Sequence, residues 1–229
     1  MTDVSNLLEY QRFRKLGISG KDARSLLMDT SLADYIVRMD QELERLSEVQ
    51  RQSARLYNFQ EEYCQRLRTL RRDLYRFSIT TTPEMYYYST RNEKEFAPKD
   101  VLIGYNAAWL PLIPFVERAC KVPLRSLQAS GQPLTYRYGL SIRKQWVGQF
   151  ALDTTVEHVY FIPAQMAVRV VIATQDSVIE RTPLEDGLAY IQEHRFLPDG
   201  DVIGNVLARL HDEEGHPTEY LELFFPIRE

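Results

Sequence analysis

The chain has 229 residues, 44% apolar and 26% charged, a balance that supports a packed core and excludes a disordered or fibrous protein. No apolar run approaches the ~20 residues of a membrane-spanning helix. The opening MTDVSNLLEY lacks the basic and apolar regions of a secretory signal, so a cytoplasmic location is expected. Cys64 and Cys120, with four histidines that share no ligand spacing, argue against a disulfide framework or a zinc site, and no cofactor is expected. The net charge of −4 is uneven: residues 1–80 hold 14 Lys and Arg against 12 Asp and Glu, and the remainder 14 against 20. A basic excess of two is too small to argue nucleic-acid binding by itself.

Residues 5–27 read as two short helices. Leu7, Leu8, Phe13 and Leu16 mark the first, Gly17 ends it, and Ser19 caps the second, with Asp22 in the capping-box place. From Ser31 to about Arg76 there is neither proline nor glycine. Leu32, Ile36, Met39, Leu43 and Leu46 alternate spacings of four and three, the seam of a coiled coil. The phase slips near Val49 and Ser53 and resumes through Leu56, Tyr63, Leu67, Leu70 and Leu74. Self-association into an antiparallel homodimer through residues 31–76 is expected; the alternative is packing of this stripe on the chain's own body.

After Pro83 the pattern becomes strand-like. Tyr86 to Tyr88 predict a strand, Arg91 to Asp100 a charged loop, and Tyr105 to Val122 a helix starting near Pro111. This helix would hold Cys120. Thr135 to Ile142 and Gln145 to Ala151 predict two further strands. Glu157 to Thr174 predicts one or two strands broken at Pro163-Ala164. A helix over Pro183–Glu193, a strand over Val202–His211, a turn at Glu213-Glu-Gly-His-Pro and a strand over Thr218–Ile227 follow. Residues 83–151 and 157–227 thus share the order strand, helix, strand, strand. The expected fold class is α+β: helical residues 1–77, then a duplicated domain with an antiparallel sheet over 78–229.

The chain holds 14 tyrosines, mostly beyond residue 85. A pocket is expected from Tyr86, Tyr88, Tyr105, Trp109, Tyr136, Tyr138, Trp146, Tyr160, Phe161 and Glu222. Aromatic faces hold a flat or cationic ligand at about 0.5–2 kcal/mol each. Packing between sheet and helices is the alternative use for each of them. No Gly-rich phosphate loop and no evident nucleophile–base pair is present.

Leu7 to Leu27, with Arg14-Lys15-Leu16-Gly17-Ile18-Ser19 before an uninterrupted helix, resembles the second half of the DNA-binding head of mercury-resistance (MerR) type regulators. Thr218-Glu-Tyr-Leu-Glu222-Leu-Phe-Phe-Pro226-Ile227 is similar to the closing Glu-Leu-x-x-Pro-Ile strand of the gyrase-inhibitor-like effector domain carried by multidrug-sensing members. Ile162-Pro-Ala-Gln-Met-Ala-Val168 resembles the strand that opens that domain's second half. The resemblance implies a ligand-responsive transcription regulator whose C-terminal domain takes a small aromatic or amphipathic molecule.

Two departures accompany it. The family's helix-turn-helix precedes the segment that begins here, so specific operator binding by this chain is not expected. Arg12, Arg14, Lys15, Lys21 and Arg24 are left as weak phosphate contacts. The family's pocket glutamate would fall near Val206 or Leu207, where there is no acid. Two other readings stand beside the regulator. One is a small-molecule hydrolase using Glu222 with Tyr136 or Tyr138; the other is a headless partner that forms mixed dimers with complete regulators.

Overall fold

The computed structural model describes every residue except Met1, Asp29, Glu93, Lys94, Ala97, Pro98, Ser130, Glu157, Asp176 and 212–214. For residues 2, 3, 91, 92, 95, 96, 100, 101, 104 and 105 it describes the backbone alone. The expected loop around residues 93–98 and the turn at 213–217 therefore fall partly outside the described residues. Two compact units divide the chain, residues 1–61 and residues 62–229.

The first unit holds α1 (Thr2–Lys15), α2 (Gly20–Met28) and the opening part of α3 (Leu32–Asp73). Gly17 closes α1 at φ +92°, a conformation glycine adopts without strain. Ser19 Oγ accepts the Asp22 amide at 3.1 Å, and Ser31 Oγ accepts the Asp34 amide at 3.2 Å. The Ser19 cap matches the sequence reading, and Ser31 opens the uninterrupted stretch in the same way. Phe13, Ile18, Ala23 and Leu26 form a small core, and Tyr35 and Met39 pack on it. Met39 is thereby withdrawn from the expected seam, whereas Leu32, Ile36, Leu43 and Leu46 stay exposed.

The second unit begins with the last turns of α3. It continues with β1 (Ser78–Thr81), β2 (Met85–Asn92), β3 (Glu95–Phe96), α4 (Lys99–Trp109), a 3₁₀ turn (Leu110–Leu112), β4 (Val116–Val122), α5 (Leu124–Gln128), β5 (Arg137–Arg143) and α6 (Lys144–Phe150). Then come β6 (Val159–Ile162), β7 (Met166–Gln175), α7 (Thr182–Glu193), β8 (Leu197–Pro198), β9 (Val202–His211) and β10 (Pro217–Arg228). The strands form one sheet in the order β1-β7-β10-β9-β4-β5-β2-β3, with β6 also on β2 and β8 on β10. The pairings are antiparallel. The chain is α+β, as expected.

The strand-helix-strand-strand order occurs twice, as β2-α4-β4-β5 and as β7-α7-β9-β10. The spatial orders match too: β2-β5-β4 in one half and β7-β10-β9 in the other, joined where β4 meets β9. Two elements of the first half differ from the sequence reading. Residues 116–122 form a strand rather than a helix, so Cys120 lies on β4, and the preceding helix runs over Lys99–Trp109. Residues 144–150 form α6 rather than a strand.

Side chains alternate between the two sheet faces. On one face Val168, Val170 and Ile172 of β7, with Leu221, Leu223 and Phe225 of β10, pack beneath Leu184 and Ile191 of α7. Full burial of each such side chain contributes about 1.5–3 kcal/mol. Helix α7 approaches closely because Gly187 faces the Phe225 ring; a Cβ there would stand 2.6 Å from Phe225 Cζ. Trp109 of α4 covers Tyr88 on the same face. The opposite face receives Leu67, Leu70 and Leu74, which pack on Val171, Leu207 and Tyr220. Leu67, Leu70 and Leu74 of the second stretch of the expected seam are therefore spent on the chain's own sheet, while Leu56 stays exposed.

Candidate functional site

On the face covered by α4 and α7, the β4–β5 pair floors a cleft of about 350 Å³. Leu102 and Asn106 of α4 and Leu110 form one wall, and Ser177, in the connection from β7 to α7, lies across from them. Thr90, Arg118, Tyr138, Gly139 and Leu140 complete the lining. Gly139 is required by the ladder, since a Cβ there would run into the Tyr88 carbonyl and stand 2.9 Å from the Tyr87 ring.

Tyr138 is buried and donates its hydroxyl to the Ser177 carbonyl at 2.6 Å. Burial holds this phenol well above its ordinary titration range, with Cys120 and Glu219 acting in the same direction. Tyr136 meets the Tyr138 ring edge-on, with centroids 5.7 Å apart. Beside them Arg118 donates from Nη1 to Glu219 Oε1 at 2.7 Å and lies 5.8 Å from the Tyr138 ring centroid. The Glu219 side chain is only 2% exposed, and its Oε2 is buried without a hydrogen-bond partner among the described residues. Arg209 Nε approaches the other oxygen at 3.8 Å.

Of the residues expected to form a pocket, Tyr138 lines the cleft, and Tyr136, Tyr88 and Trp109 stand in the layer around it. Tyr88 and Trp109 are fully buried. The Tyr105 side chain lies outside the described residues. Trp146 packs on Phe115 at 4.8 Å in the α6 region. Tyr86 and Phe161 contact each other at 5.1 Å on the paired strands β2 and β6. Tyr160 lies 5.6 Å from Lys121 Nζ.

Glu222 is buried on the opposite face. It accepts from Arg169 Nε at 2.6 Å and from Arg66 Nη2 at 3.2 Å. Arg66 also donates to Glu117 at 2.7 Å, and Glu117 in turn accepts from Asn205 at 3.1 Å. Arg169 also donates to Asp73 at 3.0 Å. This network crosses the sheet from β7 to β4 and holds the last turns of α3 against it. Burial alone would lower the basicity of Arg66, but Glu117 and Glu222 outweigh it and raise it. Glu222 lies on the face opposite Tyr136 and Tyr138, its two possible acid/base partners in a hydrolase.

Arg118 and Glu219 were not singled out in the sequence. The alternation along β10 does place Glu219 with Leu221 and apart from Glu222, but the partnership needs the fold, because 101 residues separate the two. Of the five basic residues expected at a phosphate backbone, Arg14 donates to the Ile18 carbonyl at 2.8 Å and Arg12 pairs with Glu9. Lys21 and Arg24 lie on α2, and Lys15 ends α1. Among the described residues, no three His, Cys, Asp or Glu side chains gather as metal ligands.

No protein-family model matches the chain, and no curated protein matches it. Among solved structures the chain is similar to the EcmrR–DNA complex, at 14% identity and a TM-score of 0.41, covering 100% of this chain and 85% of that one. It is similar to the EcmrR C-terminal domain at 12% identity and a TM-score of 0.40, covering 67% of this chain and 98% of that one. A hydrolase encoded by lin2189 from Listeria innocua gives 11% identity and a TM-score of 0.41, covering 68% of this chain and 93% of that one.

Proposed function

We propose that this chain is a ligand-responsive transcription regulator of the MerR type, or the effector-binding remnant of one, and that it takes a small aromatic or amphipathic molecule in the cleft beside Tyr138. The observation that carries the reading is the cleft itself. It lies beside the line where two matching halves meet, with aromatic and polar side chains converging on it. The Arg14-to-Ser19 and closing-strand motifs supply the regulator class by resemblance. Ligand occupancy would act through the relative position of the two halves, which are joined by the short β4–β9 ladder over residues 119–122 and 202–205.

The exposed stretch Leu32, Ile36, Leu43 and Leu46 is the surface for a second copy. The hydrolase reading has lost its carboxylate, since Glu222 is committed to Arg66 and Arg169.

The test is calorimetric titration of a panel of fused-ring aromatic compounds. Binding is expected in the micromolar range, about −8 kcal/mol, and Tyr138→Ala should weaken it about tenfold or more while Tyr86→Ala leaves it unchanged. Equal loss with both variants, or no binding by any compound, would reject the cleft. In parallel, anisotropy titrations against promoter-derived and random duplexes at about 150 mM salt are expected to show weak, equal binding, with Kd on the order of 10⁻⁴–10⁻⁶ M.

A further inference from the structure

The charge presented to that cleft is more specific than its shape. Among the described residues lining it, Arg118 is the charged one. Its side chain is 44% exposed, whereas its partner Glu219 is 2% exposed and does not line the cavity. A molecule entering the cleft therefore meets the guanidinium and not the carboxylate. Among the described residues the local balance is also positive, because Arg118 and Arg209 share the carboxylate of Glu219. Glu219 takes one Arg118 N–H at Nη1. The remaining donors of the guanidinium fork have no partner among the described residues, and neither has the half-buried Asn106 amide on the opposite wall. The Tyr138 ring, 9% exposed with the Arg118 carbon centre 5.8 Å from its centroid, gives the cleft an aromatic wall next to these donors.

We infer that the site selects aromatic molecules carrying an anionic, planar acceptor, an aromatic carboxylate above all. The ring lies against Tyr138 and the acceptor on the free edge of Arg118. Planar carboxylates match the guanidinium fork in geometry, and charge-assisted hydrogen bonds of this kind are about twice as strong as neutral ones. Among the described residues, an aromatic cation would face a net positive wall, with the Glu219 carboxylate sealed behind Arg118. This inference rests on the cleft being the ligand site and adds the ligand's charge to it.

The experiment compares three probes with one ring system on the intact chain: 2-naphthoate, 2-naphthamide and 2-naphthylmethylammonium, titrated by calorimetry at pH 7.5. The expected order is naphthoate first, about tenfold or more tighter than the neutral amide, with the ammonium weakest. Raising salt should weaken the naphthoate and leave the amide unchanged. Arg118→Met should bring the naphthoate down to the level of the amide. Because that change strips Glu219 of its 2.7 Å partner, the double variant Arg118→Met/Glu219→Gln removes both charges together and should give the same result. Binding of all three probes at equal strength, or tightest binding of the ammonium, would overturn the inference and leave the cleft standing. Binding of none would remove the cleft as the ligand site, and the inference with it.

Discussion

Glu222 accepts from Arg169 at 2.6 Å across neighbouring strands, on the face of the sheet away from the cleft. The carboxylate that the closing-strand motif brings forward is therefore part of the attachment of α3 and lies away from the proposed cleft. Replacing Glu222 with alanine would leave two half-buried guanidiniums short of a partner. Breaking a buried pair from one side costs about 3–5 kcal/mol. Urea unfolding should show a loss of that size, with Glu222→Gln losing less and naphthoate affinity at moderate temperature unchanged. A loss under 1 kcal/mol would mean that the network is largely solvated.

The same network carries a pH dependence through Asp73. Burial would raise its carboxyl, but hydrogen bonds from Arg72, Arg169 and Thr69 outweigh it and hold the folded-state value below the unfolded one. A group depressed on folding contributes stability above its unfolded value, near pH 4, and that contribution is lost as pH falls through the folded value. Wild type should therefore lose more stability than Asp73→Asn between about pH 5 and pH 2. Parallel curves would show that Asp73 has no differential titration.

Two glycines in helices give opposite expectations. A Cβ at Gly187 would stand 2.6 Å from the Phe225 ring, whereas Gly148 of α6 has open space where a Cβ would stand. Gly148→Ala should raise stability by roughly 0.5–1 kcal/mol through helix propensity. Gly187→Ala gains the same propensity but forces α7 off the sheet, and overpacking of this kind costs about 1–3 kcal/mol. Thermal melts of the two variants should move in opposite directions; a raised melting temperature for Gly187→Ala would contradict the close seat of α7.

Burial pushes the Cys120 thiol up to about 12, while Cys64 is half-buried on α3. At pH 8 the thiolate of Cys120 is negligible, and reactivity requires that form. A disulfide-exchange reagent should title no more than one thiol in the folded chain and two in guanidinium. Rapid native reaction at both would place Cys120 in contact with solvent.

Leu43→Glu combined with Leu46→Glu tests the exposed stretch of α3. Light scattering of the wild type should give about twice the 26.8 kDa chain mass, and the variant about the chain mass. Both changes fall within the first unit, residues 1–61, so ligand titrations should be unaltered. A dimer that survives both charges would place self-association elsewhere.

Much of this fold can be read in the amino-acid order, and the errors have physical causes. Ser19 and Ser31 cap their helices with local groups only, and β10 is a long run with one strong pattern. Val116 to Val122 was misread because β4 is a central strand: Val116, Ala119, Cys120 and Val122 are all buried, so alternation between faces is blurred. Residues 144–150 carry aromatic and β-branched side chains that mimic a strand, yet Trp146 and Phe150, four apart, both reach Phe115, the spacing of a helix. The duplicated order survived because the two misreadings compensated. Tyr138 was legible as one of many tyrosines. Arg118 and Glu219 were not, because their pairing depends on which strands become neighbours.

The sheet ends in short strands on both sides. β1 has four residues, and the far edge of β2 is covered by β6 with four and β3 with two. Long, flat edges recruit further strands and lead to fibrous aggregation, whereas clipped edges deny them a template. The two borders of the ten-stranded sheet thus offer a second copy of the chain little length on which to add a strand.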